Sequence, residues 1–148
     1  MRFASFALLA ALAVSCSRRP PDATPDGAVR EWIDRMSAQE TDPIEARSAW
    51  DLLSRGTHEA LEKRADRASL IEGHHVEARD VLAPGRFALR FTPTRFTPTV
   101  QGTTATVDVA GAEPSDHATV RCVKEGKVWR VDLALPELTD LPRRPDAP

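Results

Sequence analysis

The sequence has no tyrosine and only two cysteines, Cys16 and Cys122, among its 148 residues. Two cysteines allow at most one disulfide within the chain, so a disulfide-rich scaffold is excluded. The chain also lacks a strong charge of either sign, since 20 basic and 22 acidic residues give a formal net charge of −2. The charges interleave along the sequence and form no basic field, so we expect no nucleic-acid partner.

A hydrophobic run long enough to cross a bilayer as a helix, about 20 residues, is also missing. What is present is an uncharged apolar segment from Phe3 to Val14, preceded by Met1 and Arg2. A short basic start followed by an apolar segment of this length is typical of a secretory signal peptide. We predict a signal peptide at residues 1–15.

Small residues stand directly before the first cysteine, in the stretch Leu12-Ala13-Val14-Ser15-Cys16. This stretch resembles the lipobox of bacterial lipoproteins, although its leucine lies four residues before the cysteine and not three. The resemblance implies that the Cys16 thiol receives diacylglycerol, that the signal is cleaved before Cys16, and that the new amine is acylated with a fatty acid such as palmitate. Several acyl chains anchor a protein stably to a membrane.

Two other fates of Cys16 stay open at this point. Cleavage at Ala11-Leu12-Ala13 would release a secreted protein whose Cys16 survives as a thiol or a disulfide, and an uncleaved segment would remain as an anchor. If Cys16 is lipidated, Cys122 has no partner in the chain, and we expect it to be buried as a small apolar residue. By the lipoprotein resemblance, Ser17 in place of aspartate implies the outer membrane, with the domain facing the periplasm.

Composition divides the rest of the chain into three parts. Residues 16–28 are rich in proline and predict a flexible tether, which can reach at most about 40 Å over twelve residues. Residues 29–138 predict one α+β domain, and the proline-rich residues 139–148 predict a disordered tail.

Three segments have the periodicity of helices. In the first, with Asp26 as the expected N-cap, the apolar residues Val29, Trp32, Ile33 and Met36 fall on one face. The second is DPIEARSAWDLL, which begins at Asp42-Pro43. The third starts at Thr57 and is closed by Gly73, with a thin apolar face.

After Gly73 the period changes to two, which indicates strands. One strand is predicted through Phe87, Leu89 and Phe91, and another through Ala105, Val107 and Val109. A hairpin then turns at Glu125-Gly126, and its second strand is expected to carry apolar residues from Trp129 to Leu135 on one face, with Arg130 and Asp132 facing solvent. The prolines of the repeat RFTPTRFTPT suit an edge, a bulge or a turn.

Helices followed by a meander of strands indicate an α+β fold. The stretches WIDRM, AWDLLSRGTHEALEKRA and VRCVKEGKVWRVDL, in this order, resemble the nuclear transport factor 2-like superfamily. The resemblance implies a cone in which N-terminal helices pack on a curved antiparallel sheet. It also implies a possible pocket inside the cone, and the candidate lining residues, each equally a core candidate, are Trp32, Met36, Phe87, Phe91 and Trp129.

Ketosteroid isomerase-like members of that superfamily use an aspartate base and a tyrosine donor in this pocket. The chain has no tyrosine, so that catalytic pattern does not carry over. The cluster His74-His75-x-Glu77 has metal-ligand residue types, but adjacent histidines on a strand point to opposite sides, and an exposed loop is the better interpretation. The neighbours Ser115, Asp116 and His117 lack a nucleophile-elbow motif. We therefore expect no catalytic residue, metal or cofactor.

The function that these observations predict is that of a lipid-anchored cell-envelope protein with a non-catalytic binding or assembly role. Its partners would be the membrane, through Cys16, and an envelope protein. The alternatives are binding of a small apolar ligand in the cone pocket and, less supported, an enzyme that uses that pocket.

Overall fold

The computed structural model describes residues 19–38, 48–82, 87 and 89–138. The predicted signal peptide, Cys16 and the predicted tail at 139–148 lie outside these residues. The described part combines helices with an antiparallel sheet, so the α+β prediction is confirmed. No helix within these ranges has the length and apolar character needed to cross a membrane.

The described elements follow one another in the order helices, then strands. A 3₁₀ turn, η1, covers Pro21–Ala23, and two long helices follow: α1 (Pro25–Ala38) and α2 (Arg55–Glu72). The four strands are β1 (Arg95–Gln101), β2 (Thr104–Ala110), β3 (His117–Glu125) and β4 (Val128–Asp132). They form one antiparallel sheet in the order β1-β2-β3-β4, which is a simple meander.

The first helix begins earlier than the sequence pattern predicts. Thr24 is its N-cap and not Asp26, because the Thr24 Oγ1 accepts a hydrogen bond from the Gly27 N–H at 3.2 Å. Pro25 occupies the first helical position, where a missing N–H costs nothing. Residues 20–28, assigned above to a flexible tether, therefore belong to the folded domain.

The predicted apolar face of α1 is confirmed. Val29, Trp32, Ile33 and Met36 are all buried, and α1 contacts all four strands of the sheet. Burying each large apolar side chain contributes about 1.5–3 kcal/mol. This face is therefore the main attachment of α1 to the sheet.

The second long helix is fixed at both ends. Ser54 caps its N-terminus, with the Ser54 Oγ accepting from the Thr57 N–H at 3.1 Å. At its C-terminus Gly73 has the left-handed φ of 72°, and its N–H donates to the Ser69 carbonyl. The helix predicted from Thr57 to Gly73 is thus present, and it starts two residues earlier.

Of the second predicted helix, residues 48–53 are described: residues 48–50 are helical, and residues 51–53 are not. Leu53 then forms a parallel bridge with Val131 of β4. The Ser54 N–H donates to the Val131 carbonyl and the Val131 N–H donates to the Leu52 carbonyl, each at 2.8 Å. Residues 52–54 therefore cover the outer edge of β4.

The sheet prediction is right for the last three strands. Ala105, Cys122 and Val131 pair across β2, β3 and β4 on the face that α1 covers, and all three are buried. The second copy of the RFTPT repeat lies in β1, at the other edge of the sheet, and Pro98 lies within that edge strand. An edge is where proline is tolerated in a sheet.

Two strand predictions are wrong. Phe87, Leu89 and Phe91 lie in irregular segments, half-buried against the core, and belong to no strand. Leu133 and Leu135 come after β4, which ends at Asp132. At residues 89–91 and 133–135 half-buried side chains alternate with exposed ones, without a ladder of backbone hydrogen bonds.

Candidate functional site

The five residues predicted to line a pocket separate into two groups. Trp32, Met36 and Trp129 are 4%, 4% and 6% exposed and belong to the apolar core between α1 and the sheet. Phe87 and Phe91 are half-buried and pack against that core from outside. The structure thus places three of the candidates inside the packed core and two at its surface.

The two phenylalanines line different surface grooves. Phe87 lies in a groove of about 400 Å³ together with Leu61 and Arg64 of α2 and the segment 134–138. Phe91 lines a groove of about 490 Å³ beside Ile33 of α1. These two side chains therefore face two separate grooves.

One polar atom of the candidate set is buried without a partner. The indole Nε1–H of Trp32 has no hydrogen-bond acceptor within the described part of the chain. A buried donor without an acceptor costs roughly 1–3 kcal/mol. A hydrogen-bond acceptor placed beside this N–H would therefore lower the free energy of the folded state.

A buried polar cluster joins α2 to the end of β4, and the sequence pattern did not predict it. The side chains of Ser54 and Thr57 are each 1% exposed. The Ser54 Oγ lies 2.8 Å from the Asp132 Oδ1 and 3.0 Å from the Thr57 Oγ1. The Thr57 Oγ1 also accepts from the Leu133 N–H at 2.9 Å.

The donors in this cluster can be assigned by counting protons. A carboxylate only accepts, so the one Ser54 hydroxyl proton goes to Asp132. The Thr57 hydroxyl then donates to the Ser54 Oγ, and its own lone pair receives the Leu133 N–H. Every hydroxyl proton has an acceptor, so these buried hydrogen bonds connect the start of α2 to the end of β4.

The expectation that Arg130 and Asp132 face solvent is wrong, because both side chains are mostly buried in contacts with other segments. The Arg130 Nη1 lies 2.6 Å from the Asp22 Oδ2, and these side chains are 22% and 19% exposed. Asp132 is 24% exposed, and the Arg121 guanidinium lies 3.5 Å from its second oxygen. Both side chains are therefore used to attach other segments to β4.

The histidine cluster lies in an exposed loop, as expected. The His74 Nε2 lies 3.2 Å from the Glu72 Oε2, and His75 is exposed. In the described ranges, no three His, Cys, Asp or Glu side chains come close enough together to hold a metal ion. His58 stacks on Trp50 at 4.3 Å between ring centroids, and its Nε2 lies 2.9 Å from the Trp50 carbonyl oxygen.

The neighbours Ser115, Asp116 and His117 lie at the turn that enters β3. The Asp116 Oδ2 accepts from the Glu113 N–H at 3.1 Å, and the Asp116 carbonyl accepts from the Gly111 N–H. The His117 Nε2 lies 3.9 Å from Asp108, across the sheet. These contacts give Asp116 a role in the turn and pair His117 with a different carboxylate.

Cys122 is buried in the core, 1% exposed, with its Sγ 3.9 Å from the Pro25 carbonyl oxygen. Burial, assisted by the negative charges of Asp132 and Asp26, raises the pKa of the Cys122 thiol from 9.0 to about 12. The thiol is therefore protonated at neutral pH and shielded from reagents. Another cysteine can reach it only if α1 and the sheet separate.

Comparison of the chain with protein-family models, with curated proteins and with solved structures finds no match in any of the three.

Proposed function

We propose that the chain is a cell-envelope lipoprotein, anchored through Cys16, whose α+β domain has a non-catalytic binding or assembly role. The observation that carries this proposal is the state of the other cysteine. Cys122 is 1% exposed in the core, and burial raises its pKa to about 12. A disulfide between Cys122 and Cys16 would require the core to open. Without that disulfide, the Cys16 thiol is available for lipid attachment.

The sequence before Cys16 supports the same proposal. The apolar segment Phe3–Val14 and the small residues before Cys16 are the features that a lipoprotein signal combines. We further propose that the anchor lies in the outer membrane and that the domain faces the periplasm, which rests on Ser17 alone. The packing of α1 across all four strands also supports a cone of the nuclear transport factor 2-like kind as the finer description of the fold.

A binding or assembly role is supported by apolar side chains that the domain leaves in water. Leu70 and Ile71, adjacent on α2, are 84% and 65% exposed. Exposed apolar side chains that cluster mark sites of interaction more often than scattered ones. An envelope protein that covers this pair is the partner we propose.

The test is mass spectrometry of the mature N-terminus with membrane fractionation. The wild-type protein should begin at Cys16, carry a lipid mass on that residue and sediment with membranes. Cys16→Ser should lose both the lipid and the membrane fraction. Cys122→Ala is the matched control, which removes the other cysteine and should keep both. An unmodified wild-type N-terminus, or a wild-type protein in the soluble fraction, contradicts the proposal.

The alternative, a binder of a small apolar ligand, has one observation in its favour. The buried Trp32 Nε1–H has no acceptor among the described residues, and a ligand oxygen would satisfy it. Calorimetric titration with apolar carbonyl compounds tests this alternative, with Trp32→Phe as the variant that removes the N–H. Saturable binding that Trp32→Phe weakens by about 1–2 kcal/mol would support it.

A further inference from the structure

The folded domain begins very close to the residue proposed as its anchor. η1 starts at Pro21, five residues after Cys16, whereas the sequence pattern predicts a flexible tether up to residue 28. Five residues span at most about 18 Å even when fully extended. If Cys16 is held at a membrane, Pro21 is therefore within about 18 Å of the anchoring atom.

The start of the domain is fastened to β4 by an ion pair. The Asp22 carboxylate of η1 and the Arg130 guanidinium lie 2.6 Å apart, and both side chains are about four-fifths buried. A partly buried pair of this kind is screened by salt much less than an exposed one. It holds η1 against β4.

The start of the domain is also fastened to α1, by close packing. A Cβ atom at Gly27 would lie 2.1 Å from the Pro21 carbonyl oxygen, so only glycine allows η1 to lie this close to the first turn of α1. The Gly27 N–H further donates to Thr24. Together with the ion pair, this contact keeps residues 21–24 from acting as extra tether.

We propose that the short connection between Cys16 and Pro21 orients the domain on the membrane, with the corner formed by η1 and β4 facing the lipid headgroups. The inference rests on the lipid anchor proposed above. A bilayer excludes a folded domain, so a domain that is held at one corner by a short connection keeps that corner nearest to the membrane. A twelve-residue tether would allow any orientation.

The C-terminal end of α2 is separated from β4 by the length of the helix. Ser54, at the start of α2, bonds to Asp132, which is two residues from Arg130 in β4. From Ser54, helix α2 carries Leu70 about 24 Å further, at 1.5 Å per residue. We therefore expect the exposed pair Leu70 and Ile71 to lie away from the headgroups, where a protein partner can reach it.

The test compares two labelled positions in the full lipidated chain. A fluorophore is attached at Lys127→Cys, in the turn three residues before Arg130, or at Leu70→Cys, and both native residues are exposed. Cys122 does not compete for the label at neutral pH because it is buried and its pKa is raised to about 12. The protein is reconstituted in phosphatidylethanolamine–phosphatidylglycerol vesicles that carry a headgroup-linked quencher.

The expected result is quenching at position 127 that exceeds quenching at position 70 by about twofold or more, because Leu70 lies about 24 Å along α2 from the end of the helix that bonds to β4. A Gly/Ser spacer of about twelve residues between Ser17 and Arg18 should abolish the difference in quenching, because the connection to Pro21 is then long enough for the domain to rotate. Equal quenching without the spacer, or stronger quenching at position 70, overturns the proposed orientation.

The same samples separate this inference from the function on which it rests. The intact mass of the vesicle-bound protein reports whether Cys16 carries lipid. Protein without lipid contradicts the proposed anchor, and the orientation falls with it. Lipidated protein with equal quenching at the two positions contradicts the orientation and leaves the anchor standing.

Discussion

Helices α1 and α2 are attached to the domain by different forces. Six of the 14 residues of α1 are buried, and they lie on one face across the sheet. Only three of the 18 residues of α2 are buried, and none lies after Ala65. The position of α1 is thus set by a long apolar face. The position of α2 is set by a short buried face around Leu61 and by the hydrogen bonds of Ser54 and Thr57 at its N-terminus. The longer helix is therefore the less securely held of the two.

The largest effect is expected at the centre of the α1 face. Trp32→Ala should lower the free energy of unfolding by about 3–5 kcal/mol, because it removes a large buried side chain and leaves a cavity. Denaturant titration measures the loss. Asp34→Ala, an exposed position on the same helix, is the control and should change stability by less than about 0.5 kcal/mol. A small effect at Trp32 would show that burial is not what holds α1.

An intermediate effect is expected where α2 meets β4. Ser54→Ala removes the cap and leaves the Asp132 oxygen and the Thr57 N–H without their buried partner, at a cost of about 1–3 kcal/mol. Ser37→Ala is the matched control, since the Ser37 hydroxyl only donates to the Ile33 carbonyl within α1. If both serines gave the same small loss in a denaturant titration, the cluster would not be the attachment of α2.

The C-terminal end of α2 should respond to a change of backbone alone. Gly73→Ala should cost about 1 kcal/mol, because alanine disfavours the φ of 72° that Gly73 adopts. Gly56→Ala, in the first turn of α2, should have no cost or a gain of about 0.4–1 kcal/mol, since a Cβ there finds only one atom at 4.0 Å. Thermal unfolding of the two variants should therefore shift in opposite directions. A shift in the same direction would contradict the role of the Gly73 cap.

The smallest effect is expected at the exposed apolar pair. Leu70→Ala should change the free energy of unfolding by less than about 0.5 kcal/mol, because the side chain is 84% exposed. Leu61→Ala, on the buried side of the same helix, should cost about 2–5 kcal/mol. A large loss at Leu70 in a denaturant titration of the isolated protein would mean that another part of the chain covers it.

The parts of the fold that were predictable from the sequence depend on local periodicity. The buried face of α1 and the alternation in β2, β3 and β4 follow from spacing alone. The same rule predicted a strand through Phe87 and Phe91, which are half-buried, but the described residues of that segment pair with no strand. Pairing depends on residues far away in sequence, which spacing does not report.

The contacts at β4 could not be predicted, for the same reason. Arg130 finds Asp22, 108 positions away, and Asp132 finds Ser54, 78 positions away. One signal was present in the sequence, since a serine before a helix is a common cap, and Ser54 stands three residues before the predicted start at Thr57. Large apolar residues such as Trp32, Met36 and Trp129 suit a core as well as a cavity wall, and the structure places these three in the core.

The placement of Pro98 in the edge strand β1 bears on contacts between copies of the domain, which the anchor proposed above would confine to one membrane. Anchored proteins are confined to two dimensions, so their sheet edges meet often, and an open edge invites strand-to-strand aggregation. Residues 52–54 cover the β4 edge. On the β1 edge, Pro98 has no N–H to offer and Arg95 adds a charge. Crowded copies of this domain should therefore remain separate, without growing into fibres.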